Sequence, residues 1–162
     1  MAYLEKHSTT LRDDDARLAG VAKHLTPVLH NLIALGVNGK QAHWHVRGEN
    51  FVSVHEFLDE IIAHAQDNAD TIAERLVALG LAVDARINTV AEKSGNPAML
   101  VGFQQAEVTV REMIAQLDAT LDALYSAVDG LERIDPVSQD LVIAAAQLFD
   151  KDRWFLNSHY AK

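Results

Sequence analysis

The sequence predicts an all-α protein: four long amphipathic helices joined by short, long and short connections. Three observations carry this. Apolar residues recur at helical spacing in four separate stretches. Ala and Leu are abundant while aromatic residues make up 6% and prolines number three, a composition that suits helices. Residues 80–104 lack a sustained repeat and form a connector long enough to cross the length of a bundle. With 162 residues, the whole chain (1–162) is expected to be a single domain that buries its own core.

Residues 1–15 are expected to form a flexible N-terminal tail, although Asp13 to Leu25 can make a short amphipathic helix with Leu18, Val21, Ala22 and Leu25 on one face. Thr26-Pro27 reads as the start of the first long helix, with Thr as N-cap and Pro at the first helical position. That helix should run to about Val46 and bury Val28, Leu32, Leu35 and Ala42, with Gly36 and Gly39 weakening it locally. Arg47 to Asn50 is a short connection, so the second helix returns antiparallel. Its start is either Asn50 as N-cap or a capping box of Ser53 and Glu56.

The second helix should reach about Leu79, with an apolar stripe of Leu58, Ile61, Ile62, Ala65, Ala69, Ile72 and Leu76. The connector at 80–104 then carries room for a short helix. A third helix from about Gln105 to Leu131 repeats Val110, Ile114, Leu117, Leu121, Leu124, Val128 and Leu131. Asp135-Pro136 starts a fourth, with Leu141, Ala145, Leu148 and Phe155 facing inward. A long crossover between the second and third helices makes those two parallel.

Composition narrows the chemistry. Lys and Arg number 14 against 23 Asp and Glu, a net charge of −9, so the surface on average attracts cations and repels nucleic acid. The tail supplies Lys6 and Arg12 against Glu5, Asp13, Asp14 and Asp15, no surplus with which to neutralise phosphates. Without cysteine there is no disulfide, thiol nucleophile or thiolate metal site. No run of about 18 apolar residues suggests a membrane span, and the start lacks a signal-peptide core, which favours the cytoplasm.

The most informative stretch runs from Lys40 to Glu74 and contains His43, His55, Asp59, Asp70 and Glu74. His55 and Asp59 lie four apart, as do Asp70 and Glu74, so each pair shares a helix face. At about 100° per residue the four span an arc of about 100° on one helix. Yet Asp59 and Asp70 are separated by about 16 Å at a rise of ~1.5 Å per residue, whereas an ion lies within ~2–2.6 Å of its ligands. Either each chain carries two separate sites, or two copies of the helix pack antiparallel about a two-fold axis and share them.

These residues sit in a wider pattern: His43-Trp44, then Gly48 to Phe51, His55 to Glu60, and Asp70 to Gly80. That pattern resembles the ferroxidase segment of the DNA-binding proteins from starved cells (Dps, the mini-ferritins), and the likeness runs through most of the chain. The resemblance implies a ferritin-like bundle and an inter-subunit site binding two irons. His43, His55 and Asp59 would come from one chain, Asp70 and Glu74 from its two-fold mate. It further implies a hollow dodecamer built from such dimers, oxidising Fe(II), preferably with hydrogen peroxide, storing ferric mineral and protecting against oxidative stress. Trp44 would stand beside the metals with a redox role, and Asp135 and Asp140 resemble positions lining cation pores. The paired Glu-x-x-His motifs of full ferritins are absent.

Blander readings stand beside these. His55–Asp59 could be a stabilising helical pair, Asp135 a charge placed at a helix N-terminus, Trp44 and Trp154 packing residues. Lys40 could pair with a site carboxylate or serve the surface. His7, His24, His30, His64 and His159 have no ligand company. Three carboxylates without interleaved cations repel one another, a repulsion a bound cation relieves. Imidazole with carboxylate suits iron, manganese or zinc. Two further functions remain open: a nucleoid protector that binds DNA, which the acidic chain disfavours, and a metal-dependent hydrolase in which the same ligands activate water.

Overall fold

The computed structural model describes residues 15–160; most of the expected N-terminal tail lies outside them. Five α-helices follow in order: α1 (Asp15–His45), α2 (Phe51–Ala78), a short α3 (Ile87–Lys93), α4 (Ala106–Leu131) and α5 (Pro136–Asn157), closed by a 3-10 turn at Ser158–Tyr160. The four long helices form the predicted bundle, and α3 sits in the connector. No helix of the described residues is long and apolar enough to cross a membrane.

Cross-helix contacts fix the directions. Asn31 and Asn38 on α1 bond Ala119 and Gln116 on α4, so these helices run antiparallel. His64 on α2 meets Asp152 on α5, and Arg75 meets Ser138, again antiparallel. Two-residue strands β1 (Val46–Arg47) and β2 (Gln104–Gln105) pair in parallel. They return the connector to the end where α2 begins, so α2 and α4 run parallel, as the long crossover requires.

The core follows the expected stripes closely in α1, α2 and α4. Val28, Leu32, Leu35 and Ala42 are buried, as are all seven apolar stripe residues of α2. Gly39 lets α1 approach α2: a Cβ there would stand 2.9 Å from Ile62 Cγ1. The turn before α2 uses Gly48 at φ 92° and Asn50 at φ 62°, left-handed backbone that Gly and Asn tolerate best. The capping box does not form. Ser53 Oγ donates to the Asn50 carbonyl instead, and Asn50 caps without a side-chain bond.

Two expectations are corrected. Helix α1 is continuous from Asp15, with Pro27 inside it, so Thr26-Pro27 starts nothing. Proline removes one N–H, which would have bonded the Lys23 carbonyl. Pro27 and Lys23 are both exposed, so water can serve that carbonyl, while Val21, Leu25, Val28 and Leu29 bury one face across the site. On α5 the expected Ala145 is buried, but otherwise the buried line is Val142, Phe149 and Leu156, one residue beyond the expected Leu141, Leu148 and Phe155. Phe155 is 39% exposed and packs its ring against Phe57 of α2.

Polar side chains fasten the rest. Asn31 accepts from the Gly95 amide, Asn96 donates to the Gln116 carbonyl, and Gln116 donates to the Pro97 carbonyl, holding the connector to α1 and α4. His30 Nε2 donates to the Asp84 carbonyl. His64 Nδ1 lies 2.8 Å from the buried Asp152 carboxylate, whose pKa burial pushes up despite the histidine. At the C-terminal end of α2, buried Asp135 receives Ser138 and Arg75, with Arg17 of α1 at 3.6 Å.

Burial alone would raise the Asp135 carboxyl, but Ser138, Arg75 and Arg17 outweigh it and hold it below its ordinary value. Its stabilising contribution is therefore full above an unfolded-state pKa of about 3.9 and disappears as pH falls through the lower folded value. Asp135→Ala should cost about 3 kcal/mol at pH 7, because two guanidinium groups lose a buried partner. Urea unfolding at pH 7 and again near pH 3 checks this. The gap between variant and parent should shrink at the lower pH.

Candidate metal centre

The candidate ligands occupy the flank of α1 and α2 beside the core. His43 lies in the last turn of α1 and His55 in the second turn of α2, facing each other across the tight turn at Gly48. Their rings stack with centroids 3.7 Å apart and planes 23° from parallel. His43 Nδ1 donates to the His55 carbonyl at 2.9 Å, and His55 Nδ1 donates to the His43 carbonyl at 3.0 Å. A carbonyl only accepts, so each neutral ring carries its proton on Nδ1 and keeps the Nε2 lone pair. That is the arrangement in which an imidazole binds a metal through Nε2 while its other nitrogen is anchored.

Asp59 completes this half. It is half-exposed; its Oδ1 lies 2.6 Å from Lys40 Nζ and 3.3 Å from His43 Nδ1. The hydrogen bond from Lys40 is the main reason its carboxyl titrates below the ordinary aspartate value; burial opposes this, and the Lys40 charge adds to the lowering. Of the two readings of Lys40, the structure thus favours pairing with a site carboxylate. Trp44, next to His43, is 64% exposed, so its indole borders solvent rather than core.

Asp70 and Glu74 lie further along α2, both exposed. Asp70 opens onto a groove of about 340 Å³ between α1 and α2, lined by Ile33, Val37, Ala69 and Ala73. The helix holds this half away from the first. Among the described residues no three His, Cys, Asp or Glu side chains gather closely enough to hold one ion. One chain stacks His43 on His55 and sets Asp59 beside His43 Nδ1, without closing a three-ligand site, and keeps Asp70 and Glu74 apart.

The two pore candidates differ. Asp135 occupies the N-cap position of α5 without capping its backbone, its carboxylate engaged by Ser138, Arg75 and Arg17. Asp140 is exposed in the early turns of α5. Sequence reasoning missed the reciprocal histidine–carbonyl bonds and the enclosure of Asp135. The spacing of His43 and His55 about a Gly-containing turn hinted at the first; nothing local signalled the second.

A bundle of four long helices with one long crossover and a short helix within it is the ferritin-like class, and the model of the ferritin-like domain family matches residues 22–162. A solved structure of Dps from Microbacterium arborescens in its high iron form is 50% identical, covers 93% of this chain and 98% of that one, and superposes with a TM-score of 0.89. The DNA protection during starvation protein of Agrobacterium fabrum is 30% identical over 136 residues, 83% of this chain and 84% of its own. The fine tangled pili major subunit of Haemophilus ducreyi is 30% identical over 139 residues, 86% of this chain and 74% of its own. The chain belongs to the Dps family of ferritin-like proteins.

The histidine geometry makes a spectroscopic prediction. In ¹⁵N spectra above the imidazole titration range, His43 and His55 should both show protonated Nδ1 and unprotonated Nε2. Adding redox-inert Zn(II) should move the Nε2 resonances and leave Nδ1 protonated. A shift centred on Nδ1 would contradict the assigned orientation.

Proposed function

We propose that this protein is a ferroxidase that takes up Fe(II), oxidises it preferably with hydrogen peroxide, and stores the ferric product inside a hollow homo-oligomer. The observation that carries this reading is the division of ligands along α2. Two anchored imidazoles with free Nε2 and Asp59 stand at one end. Asp70 and Glu74 stand at the other, on the same flank and too distant for the same ion. An antiparallel two-fold mate would bring the second pair of each chain to the first set of the other. Exposed Trp44, Phe51 and Val52 near one end and the apolar groove beside Asp70 at the other suit burial against such a mate.

In each shared site His43, His55, Asp59 and the mate's carboxylate pair would hold two ferrous ions. Each ion gives one electron to peroxide; with two protons, the O–O bond breaks to two waters and two ferric ions remain. Paired delivery avoids the hydroxyl radical that a single ferrous ion would release. Trp44 is suited to supplying an electron when the pair is incomplete. Asp140, with its open carboxylate, is the better of the two candidates for a cation pore; Asp135 serves the helix junction. The high iron form of the Microbacterium arborescens relative supports iron as substrate. We further assign a single domain, a dodecamer built from two-fold dimers, and a cytoplasmic location.

DNA protection, the role in the name of the Agrobacterium fabrum relative, has less support in this chain, because its net charge of −9 opposes phosphate binding.

Anaerobic loading with ferrous ion followed by a peroxide pulse tests the reading. Ferric absorbance should rise rapidly and consume about one peroxide per two irons. Asp59→Asn should slow this by about 100-fold or more, the loss of one charged ligand from a paired site being worth at least ~2.7 kcal/mol at the barrier, with the assembly retained. A variant as fast as the parent would overturn the assignment.

A further inference from the structure

Among the described residues, His64 is the one histidine whose ring a buried carboxylate holds. Asp152 of α5 is 2% exposed, and its Oδ2 lies 2.8 Å from His64 Nδ1. An ionised carboxylate only accepts, so Nδ1 carries the proton and Nε2 keeps its lone pair. The imidazole is 31% exposed. Among the described residues Nε2 has no partner, and it is not buried.

Glu60 stands one turn before His64 on α2, so the two side chains share a face. Its carboxylate is exposed and pairs with no cation among the described residues. Lys151, beside Asp152 on α5, keeps its ammonium 5.4 Å from the centre of the Phe155 ring. The charge of Glu60 reaches Asp152 and, with burial, pushes its carboxyl up. Burying a carboxylate is costly, and α2 and α5 are already fastened by Phe57 on Phe155 and by Arg75 to Ser138. What Asp152 adds is an imidazole of fixed tautomer and direction, as a carboxylate does behind a metal-ligating histidine.

We infer that His64 Nε2 and the Glu60 carboxylate form a second divalent-metal site, on the flank of α2 that meets α5. Asp152 is its positioning residue: it touches no metal and acts by orienting the imidazole. At ~100° per residue His64 lies about 180° round α2 from His55, so this site needs neither the first ligand set nor a two-fold mate. Imidazole with carboxylate takes Zn(II), Fe(II) or Mn(II). No third His, Cys, Asp or Glu side chain among the described residues completes the set. Water fills the remaining positions, and the ion is held loosely enough to be passed on. A cation on Nε2 also strengthens the Nδ1–H bond to ionised Asp152, which offsets the burial of that charge.

Calorimetric titration of the full-length chain with Zn(II) tests this in the His55→Ala/Asp59→Ala background, where the first ligand set is broken. One weakly held Zn(II) per chain should remain. Adding His64→Gln should abolish it, and Glu60→Gln should weaken it by about tenfold or more. Asp152→Asn keeps an acceptor for Nδ1 without the charge, and should weaken binding by about tenfold. Glu60→Gln changes only an exposed side chain, so its result stands even where Asp152→Asn fails to fold. If the pair merely fastens α2 to α5, His64→Gln lowers the melting temperature and leaves Zn(II) binding unchanged, which would overturn the site. A His55→Ala/Asp59→Ala chain that binds no Zn(II) would overturn it equally. Neither result bears on the shared site, which the peroxide pulse tests separately.

Discussion

The rise of an α-helix constrains everything else in this molecule. Helix α2 is 28 residues long, about 42 Å at ~1.5 Å per residue, and carries its candidate ligands as two pairs on one flank. Because hydrogen-bonded helix neither stretches nor bends enough to close about 16 Å between Asp59 and Asp70, neither pair can be completed by the other within the chain. The same rigidity holds the two pairs at a fixed spacing, on which the proposed sharing with a second copy depends. A shorter or kinked helix would lose that register.

Much of the bundle serves to keep α2 in place with that flank outward. Its buried stripe from Val54 to Leu76 faces the core, and Gly39 brings α1 close against Ile62. On the side away from the ligands, His64–Asp152 and Arg75–Asp135–Ser138 fasten it to α5. At its start the paired strands tie the end of the crossover to the turn that holds His43 opposite His55. The Arg47 guanidinium covers the Phe103 ring there at 3.1 Å from its centre, adding a cation–π contact to the same junction. Strong interactions thus lie behind and beside the ligands; His43 is buried among them, and the carboxylates of Asp59, Asp70 and Glu74 are left exposed.

Sequence periodicity revealed the helices, their core faces in α1, α2 and α4, and the crossover, because burial of one face imposes a 3.6-residue repeat on apolar residues. It failed where two answers satisfy the same local rule. Thr-Pro is a good helix start, yet at Pro27 the cost of one lost hydrogen bond falls on the solvent side and the buried face continues through it. On α5, Leu141, Leu148 and Phe155 form as apolar a line as Val142, Phe149 and Leu156; packing against α2 and α4 chose between them. The Asn31–Asn96–Gln116 network carries no period and was invisible. Spacing brought the five candidate ligands into view as a set and gave their split between two ends. What it could not give is orientation: that His43 and His55 anchor each other's backbone, or that Lys40 holds Asp59.

The central claim is that a working site takes His43, His55 and Asp59 from one chain and Asp70 and Glu74 from another. Co-refolding a His55→Ala/Asp59→Ala chain with an Asp70→Ala/Glu74→Ala chain tests it most directly, with peroxide-driven iron oxidation as the readout. Each variant alone should be inactive, since every site in it is broken. Random pairing in the mixture yields heterodimers in which one site is intact and the other doubly broken, so about a quarter of the parental activity should return. A mixture no more active than the separate variants would contradict the shared site.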